Sequence, residues 1–291
     1  MKGIILAGGT GSRLWPLTKT ISKQLLPIYD KPLVYYPLST LMLAGIQEIL
    51  IVTTPHDSED FKTLLGDGRS LGISISYETQ ARPEGIAQAL LIAADFIAGD
   101  QVALILGDNI FYGPGLGRSL KELVVKNGAT VFGVEVHDPE RYGVIEISDQ
   151  GDPISLEEKP QHPKSNLAVP GLYFFDASVA ERTKGVRRSS RGEYEITSVI
   201  STYLSDGLLS VRKLNQGTIW MDCGTVKTMN EAINFVKSVE ERNNTKIGCI
   251  EEVAWRQGWI NTDQLKTLGS YYGLNEYGQY LVQLADNESN R

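Results

Sequence analysis

The stretch GGTGSR (residues 8–13) follows the apolar run GIILA and carries Arg13 at its end, with Lys23 ten residues on in SKQLLP. Glycines after a strand let backbone N–H groups converge on an anion that side chains would obstruct. The spacing is not that of a dinucleotide site: with Gly9 and Gly11 in the first two places, the third glycine would fall at Leu14. Nor is it a Walker loop, because no Gly-Lys-Ser/Thr follows. A bare glycine-rich loop is as often only a tight turn. The two cations beside this one suit a triphosphate tail better than a single phosphate.

Two aspartates suggest how such a tail would be held. Asp108 ends the run VALILGD, and a carboxylate at the carboxyl end of a parallel strand lies where such sheets bind ligands. Asp222 closes the short run IWMD before a helical pattern. Mg2+ asks for only one or two carboxylates, with phosphate oxygens and water completing its octahedron. Taken singly, Asp108 also reads as a turn residue and Asp222 as a helix cap. Further along, ISLEEKP places Glu157, Glu158 and Lys159 at the end of a strand-like run. On a regular strand Glu158 and Lys159 face opposite ways, so they share a site only if the strand ends or bulges there. Otherwise they form a solvated charge run. RGEYEIT brings Arg191, Glu193 and Glu195 ahead of another helical pattern. In ETQARPEGIAQA, Gln80 follows a strand and Gly85 lies at a helix start. An amide there reads a base edge, or merely lines a polar loop.

Periodicity shows the elements that must position these groups. GIILA, EILIVT, ISISYE and QVALILGD read as strands, and LVYYPLSTLMLAG, SEDFKTLLG and EGIAQALLIAADFI as helices between them. Continuous aliphatic runs in βαβα order predict a parallel sheet buried on both faces, with the ligand at one edge. Past about residue 128, ATVFGVEV, GVIEIS, PISLEEK and VPGLYFF predict antiparallel or mixed strands that extend the same sheet, with few helices between them. From residue 225 the pattern is largely helical. The expected fold is α/β: a Rossmann-like mixed, mostly parallel central sheet flanked by helices, with a helical C-terminal part. The expected division is a core over 1–224, with a nucleotide part to about 127 and a sugar part over 128–224, and a helical part over 225–291 packed on it.

Composition narrows the classes. Of 291 residues 42% are apolar and 22% charged, ordinary for a globular protein. No window of eighteen uninterrupted apolar residues and no signal-peptide pattern is seen, so no membrane association is expected and the expected compartment is the cytosol. Two cysteines and three scattered histidines exclude a disulfide framework and a cysteine-rich zinc site. A net charge of −7 argues against a broad nucleic-acid surface but leaves room for a small phosphorylated ligand met by a few local cations.

The segments KGIILAGGTGSRLWPLT, SKQLLPIYDKPLVYYPLSTLMLAGI, LGDNIFYG, ERYGV, SLEEKP, VPGLYFF, RGEYEIT and WMDCGT occur in this order across almost the whole chain. Together they resemble the glucose-1-phosphate thymidylyltransferases, a branch of the sugar-nucleotide pyrophosphorylases. The resemblance implies a Mg2+-dependent reaction of dTTP with glucose 1-phosphate. The sugar phosphate attacks the α-phosphorus in line and pyrophosphate leaves, with no covalent enzyme intermediate. By this resemblance Gly8, Gly9, Gly11, Ser12 and Arg13 cradle the triphosphate, and Arg13 and Lys23 meet the leaving pyrophosphate. Asp108 and Asp222 hold Mg2+, Lys159 clamps the sugar phosphate, and Gln24, Gln80 and Gly85 contact the base or nucleoside. Asn109, Gly143, Glu158 and Val169 line the sugar side, with Tyr142, Tyr173, Arg191 and Trp220 nearby.

The resemblance further implies a homotetramer and inhibition by a deoxysugar nucleotide at a second site between subunits. In EEVAWRQGWI, Glu252 and Arg256 stand at i, i+4 on one helix face, and Tyr112 and Gly113 would join them from the core. From these residues alone, a surface ion pair explains Glu252 and Arg256 equally well. The chain departs from the family pattern at Thr10-Gly11-Ser12, where Ser-Gly-Thr is common, and at Cys223, where Thr is typical. A thiol is a weak hydrogen-bond partner, so if a hydroxyl there orients Asp222, metal affinity or rate falls. A UTP- or other-sugar-specific relative and a catalytically silent nucleotide-sugar sensor are the alternatives. Intact Arg13, Lys23, Asp108, Lys159 and Asp222 speak against the sensor.

Overall fold

A computed structural model describes residues 1–123 and 127–289. Strands β1 (Lys2–Ala7), β2 (Glu48–Thr53), β3 (Ser74–Thr79) and β4 (Val102–Leu106) pair in parallel in the order β3-β2-β1-β4. Alternate residues serve opposite faces. Ile5, Ile51 and Ile105 enter one apolar cluster, while Ile4, Val52 and Leu104 enter another. Burial on both sides is why these runs are aliphatic rather than alternating.

Eight further strands follow: β5 (Asn109–Tyr112), β6 (Ala129–Glu135), β7 (Gly143–Ile147), β8 (Pro153–Glu158), β9 (Leu167–Val169), β10 (Leu172–Phe175), β11 (Leu209–Lys213) and β12 (Ile219–Asp222). Antiparallel β10 joins β4 to β6, and β9, β7 and β8 continue antiparallel to the far edge. Strand β11 pairs with β6 in parallel, completing a ten-stranded mixed sheet. Strands β5 and β12 form a separate antiparallel ribbon in which Asp222 stands opposite Asn109.

Three local differences from the sequence expectation have physical causes. The run VPGLYFF is two strands, because Pro170 offers no N–H and the Gly171 N–H turns aside to donate to Asn109 Oδ1 at 3.0 Å. The helix expected over 84–97 starts only at Gln88, since Gly85 lies at φ +109°, outside the helical region, and it is interrupted at Ala93. A helix at Val179–Lys184, for which no pattern was read, joins the expected one at Ile196–Ser205 in covering part of the sheet, because six residues are too few to show a helical period.

The C-terminal helices are Val226–Asn243, Ile250–Arg256, Thr262–Tyr271 and Glu276–Ser289. A reciprocal cap opens the first: Thr225 Oγ1 accepts from the Thr228 N–H at 3.2 Å, and the Thr225 N–H donates to Thr228 Oγ1 at 3.1 Å. The cap is therefore Thr225, which leaves Asp222, still on its strand, without that task. Ile250, Ala254, Ile260, Leu265 and Leu281 share one apolar cluster with Ile5 and Ile51, so the last three helices pack on the sheet, while Met229, Ala232 and Val236 of the first join Leu14, Leu33 and Ile110. The expected 127/128 boundary adjoins residues 124–126, which lie outside the described residues.

Candidate active site

Asp108 follows β4 directly, at the carboxyl end of the parallel half. Its carboxylate accepts from Lys23 Nζ and, at 3.0 Å, from Asn109 Nδ2. Burial alone would push this carboxyl up, but the Lys23 charge and hydrogen bond outweigh it and hold it below the usual range. Asn109 also has Oδ1 filled, by Gly171 N–H at 3.0 Å and Trp220 Nε1–H at 2.6 Å, which fixes which way its amide points. Asp222 is pushed up to about 6, by burial first and then by Asp108, against the pull of Lys23, Arg13 and Arg141. Asp108 and Asp222 thus stand close enough for each to feel the other's charge, and such mutually perturbed carboxylates in a cleft mark a candidate functional site.

These groups meet in a cavity of about 390 Å3 lined by Arg13, Asp108, Asp222, Asn109 and Trp220 and by Tyr142, Gly143, Glu158, Lys159, Val169 and Tyr173. The Tyr142 and Trp220 rings meet edge-on at 5.0 Å. Strand β8 ends at Glu158, and Lys159 takes φ +44°, the left-handed region that costs a non-glycine residue about 1–3 kcal/mol. That turn brings both side chains into the cavity, where a continuing strand would have separated them. Lys159 stands 3.6 Å from Glu158, and Arg191 reaches Glu158 at 3.6 Å and Glu195 at 3.4 Å. Burial raises the Glu158 carboxyl above its usual range.

The glycine-loop residues form a second group beside this one. Gly9 sits at φ +102° with open space where a side chain would be, and Gly11 at φ +59° against Thr18, whose hydroxyl donates to Gly11 O at 2.7 Å. Ser12 and Arg13 begin a short 3-10 turn. Gly9 and Lys23 line a small cleft of about 190 Å3 next to the loop. Gln24 and Gln80 are buried under Gly8: Gln24 Nε2 donates to Gly8 O at 3.4 Å, and a side chain at Gly8 would stand 2.7 Å from Gln80 Oε1. Gln80 Nε2 already donates to Gly85 O at 3.2 Å and Gln88 Oε1 at 2.6 Å, so reading a base with it requires an exchange of partners.

Tyr112, Gly113, Glu252 and Arg256 do not belong to this site. They line a separate cavity of about 670 Å3, together with Lys246 and Gln257. Glu252 and Arg256 do form an ion pair, at 2.7 Å, and Tyr280 O–H donates to the same carboxylate at 2.6 Å. Sequence reasoning missed Arg141, Ile86, Gly171 and Thr197 in the first cavity. Arg141 stood in a noticed motif, ERYGV, but nothing in its spacing set it apart.

Cys223 faces inward, among Leu14, Leu33, Tyr36 and Met229, and burial pushes its thiol well up. Its backbone N–H donates to Asp108 O at 2.9 Å, so the main chain makes the link to the acidic pair. Cys223→Ser is expected to cost about 1–3 kcal/mol for a hydroxyl buried there. Scanning fluorimetry should show a lower Tm while kcat stays at the wild-type level; a fall in kcat at unchanged Tm would return the side chain to the metal-orienting role.

Among the described residues no cluster of three or more His, Cys, Asp or Glu side chains is placed to hold a metal. The donor set on offer, two carboxylates beside an anion loop, fits a hard cation that takes its remaining oxygens from substrate and water.

Residues 2–239 match the family described as nucleotidyl transferase. A glucose-1-phosphate thymidylyltransferase of Mycobacterium tuberculosis is 54% identical over 286 residues, which cover 98% of this chain and 99% of that one. The crystal structure of a Bacillus anthracis protein in complex with a sucrose is 40% identical, with a TM-score of 0.75 over 81% of this chain and 94% of that one. A UDP-glucose pyrophosphorylase complexed with UDP-glucose is 27% identical, with a TM-score of 0.72 over 82% of this chain and 98% of that one.

Proposed function

This chain is a member of the nucleotidyl transferase family, and we propose that it is the enzyme that joins dTTP to glucose 1-phosphate, giving dTDP-glucose and pyrophosphate. The observation that carries the reading is the gathering of Arg13, Asp108, Asp222, Glu158 and Lys159 in one cavity beside a glycine loop. The triphosphate lies along residues 8–13 with Arg13 and Lys23 toward its outer phosphates. Gln24, Gln80 and Gly85 face the base. Asn109, Tyr142, Gly143, Glu158, Val169, Tyr173 and Trp220 surround the sugar. Lys159, with Arg191 behind Glu158, orients the sugar phosphate for in-line attack on the α-phosphorus. Asp108 and Asp222 would hold Mg2+, which when bound neutralises charge on the phosphates and aligns them. No side chain need become a nucleophile; the protein supplies orientation and preset charge.

In the same reading the 1–224 core carries the chemistry and 225–291 packs on it. The enzyme works as a cytosolic homotetramer, and the cavity lined by Tyr112, Gly113, Glu252 and Arg256 is a second site where a deoxysugar nucleotide regulates it. The test is a panel of dTTP or UTP with several sugar 1-phosphates and Mg2+, following pyrophosphate. Release is expected to be fastest with dTTP and glucose 1-phosphate. Release with UTP alone corrects the base, and none with any pair overturns the reading.

A further inference from the structure

Arg141 lines the cavity that holds Arg13, Asp108 and Asp222, and the reaction above gives it no part. It ends a 3-10 turn, Pro139–Arg141, immediately before β7. Its guanidinium lies 5.3 Å from the Tyr142 ring centre, and Tyr142 is in turn braced edge-on by Trp220. The side chain is thus held against the cavity wall. Its ionic partner is Asp138, at 2.5 Å, and the two side chains are 38% and 43% exposed. A pair that open to water contributes little to stability. Exchanging Asp138 for a phosphate oxygen therefore costs little, and a guanidinium–phosphate contact inside a cavity is both charge-assisted and bidentate.

The distribution of charge selects which phosphate. Lys159 and Arg191 gather around Glu158 at the sugar end. Around Asp222 the cations that act on it are Lys23, Arg13 and Arg141, and Lys23 is already paired with Asp108. A departing pyrophosphate carries several negative charges, more than Arg13 and a Lys23 shared with Asp108 offset. We propose that Arg141 is a second guanidinium contact for the pyrophosphate leaving group, facing Arg13 and letting go of Asp138 when the triphosphate enters. This rests on the thymidylyl-transfer reading above.

The experiment is steady-state kinetics in both directions on wild type, Arg141→Ala, Arg141→Gln and Asp138→Ala. Arg141→Ala should lower forward kcat by about a hundredfold. In the reverse reaction, dTDP-glucose plus pyrophosphate, it should raise the KM for pyrophosphate, with the KM for glucose 1-phosphate in the forward direction unchanged. Added guanidinium ion should restore part of the rate. Asp138→Ala should keep the wild-type rate, because it only frees the arginine early. If Arg141→Ala does not fold, Arg141→Gln is read in the same way. The role is overturned if Asp138→Ala matches Arg141→Ala, which would make the pair a brace for the turn. It is equally overturned if only the KM for glucose 1-phosphate moves, or if an active wild type is matched by Arg141→Ala. A wild type that releases no pyrophosphate from any substrate pair overturns the reaction itself, and this contact with it.

Discussion

Asp108→Asn is expected to lower kcat by about 10²–10³-fold or more while the protein still folds. The carboxylate has two tasks that an amide of the same shape cannot share. It accepts from Lys23 and Asn109 at once, and with Asp222 it offers a pair of carboxylates to the cavity that Arg13 also lines. An Asn would turn either an NH2 toward the Lys23 ammonium or its one carbonyl toward it, leaving little for a cation. The fold is spared because the backbone link, Cys223 N–H to Asp108 O, does not depend on the side chain. Pyrophosphate release measures the first half of the prediction, and circular dichroism with Tm the second. Unchanged turnover, or loss of soluble protein, would mean that the aspartate has been given the wrong role.

Arg13→Ala is expected to lower kcat by about 10²–10³-fold and to leave the KM for glucose 1-phosphate near its wild-type value. Arg13 stands beside Asp222, since a side chain at Gly224 would lie 3.2 Å from Asp222 Oδ2 and 3.6 Å from Arg13 Nη1. That places its charge beside Asp222, where the proposed reaction puts the metal and the leaving group. Charge that develops on the bridging oxygen as the bond breaks is met there, so the loss falls on the transition state more than on ground-state binding. Arg13→Lys should recover only part, because an ammonium cannot engage two oxygens in one plane. A KM for glucose 1-phosphate that rises alone would move Arg13 to the sugar phosphate.

How much of this was legible in the sequence differs by element. The parallel half announced itself because strands buried on both faces are written as unbroken aliphatic runs, and EILIVT matches β2 residue for residue. The helix Val179–Lys184 did not, since six residues are too short a window for a helical period to show, whereas Ile196–Ser205 is the helical pattern expected after Arg191, Glu193 and Glu195. Within the site, the strand end after Glu158 was suggested by Pro160, but the left-handed turn at Lys159 has no sequence signal in a lysine. Arg141 went unassigned for a different reason. It shares a cavity with Asp222 and Arg13, and segments so far apart in the chain are brought together by topology, which no local spacing records.

The close approach at Gly85 has a consequence for how the enzyme must breathe. A β-carbon there would lie 2.4 Å from Tyr194 O, and the two backbones are stitched by Tyr194 N–H to Glu84 O at 2.7 Å and Ala87 N–H to Tyr194 O at 3.0 Å. The loop at Gly85 and the segment that carries Arg191 and Glu195 are therefore one mechanical part, although they come from opposite halves of the chain. Neither can swing out without breaking this seam or dragging the other along. A substitution at Gly85 is therefore expected to displace Arg191 and Glu195 as well as its own loop.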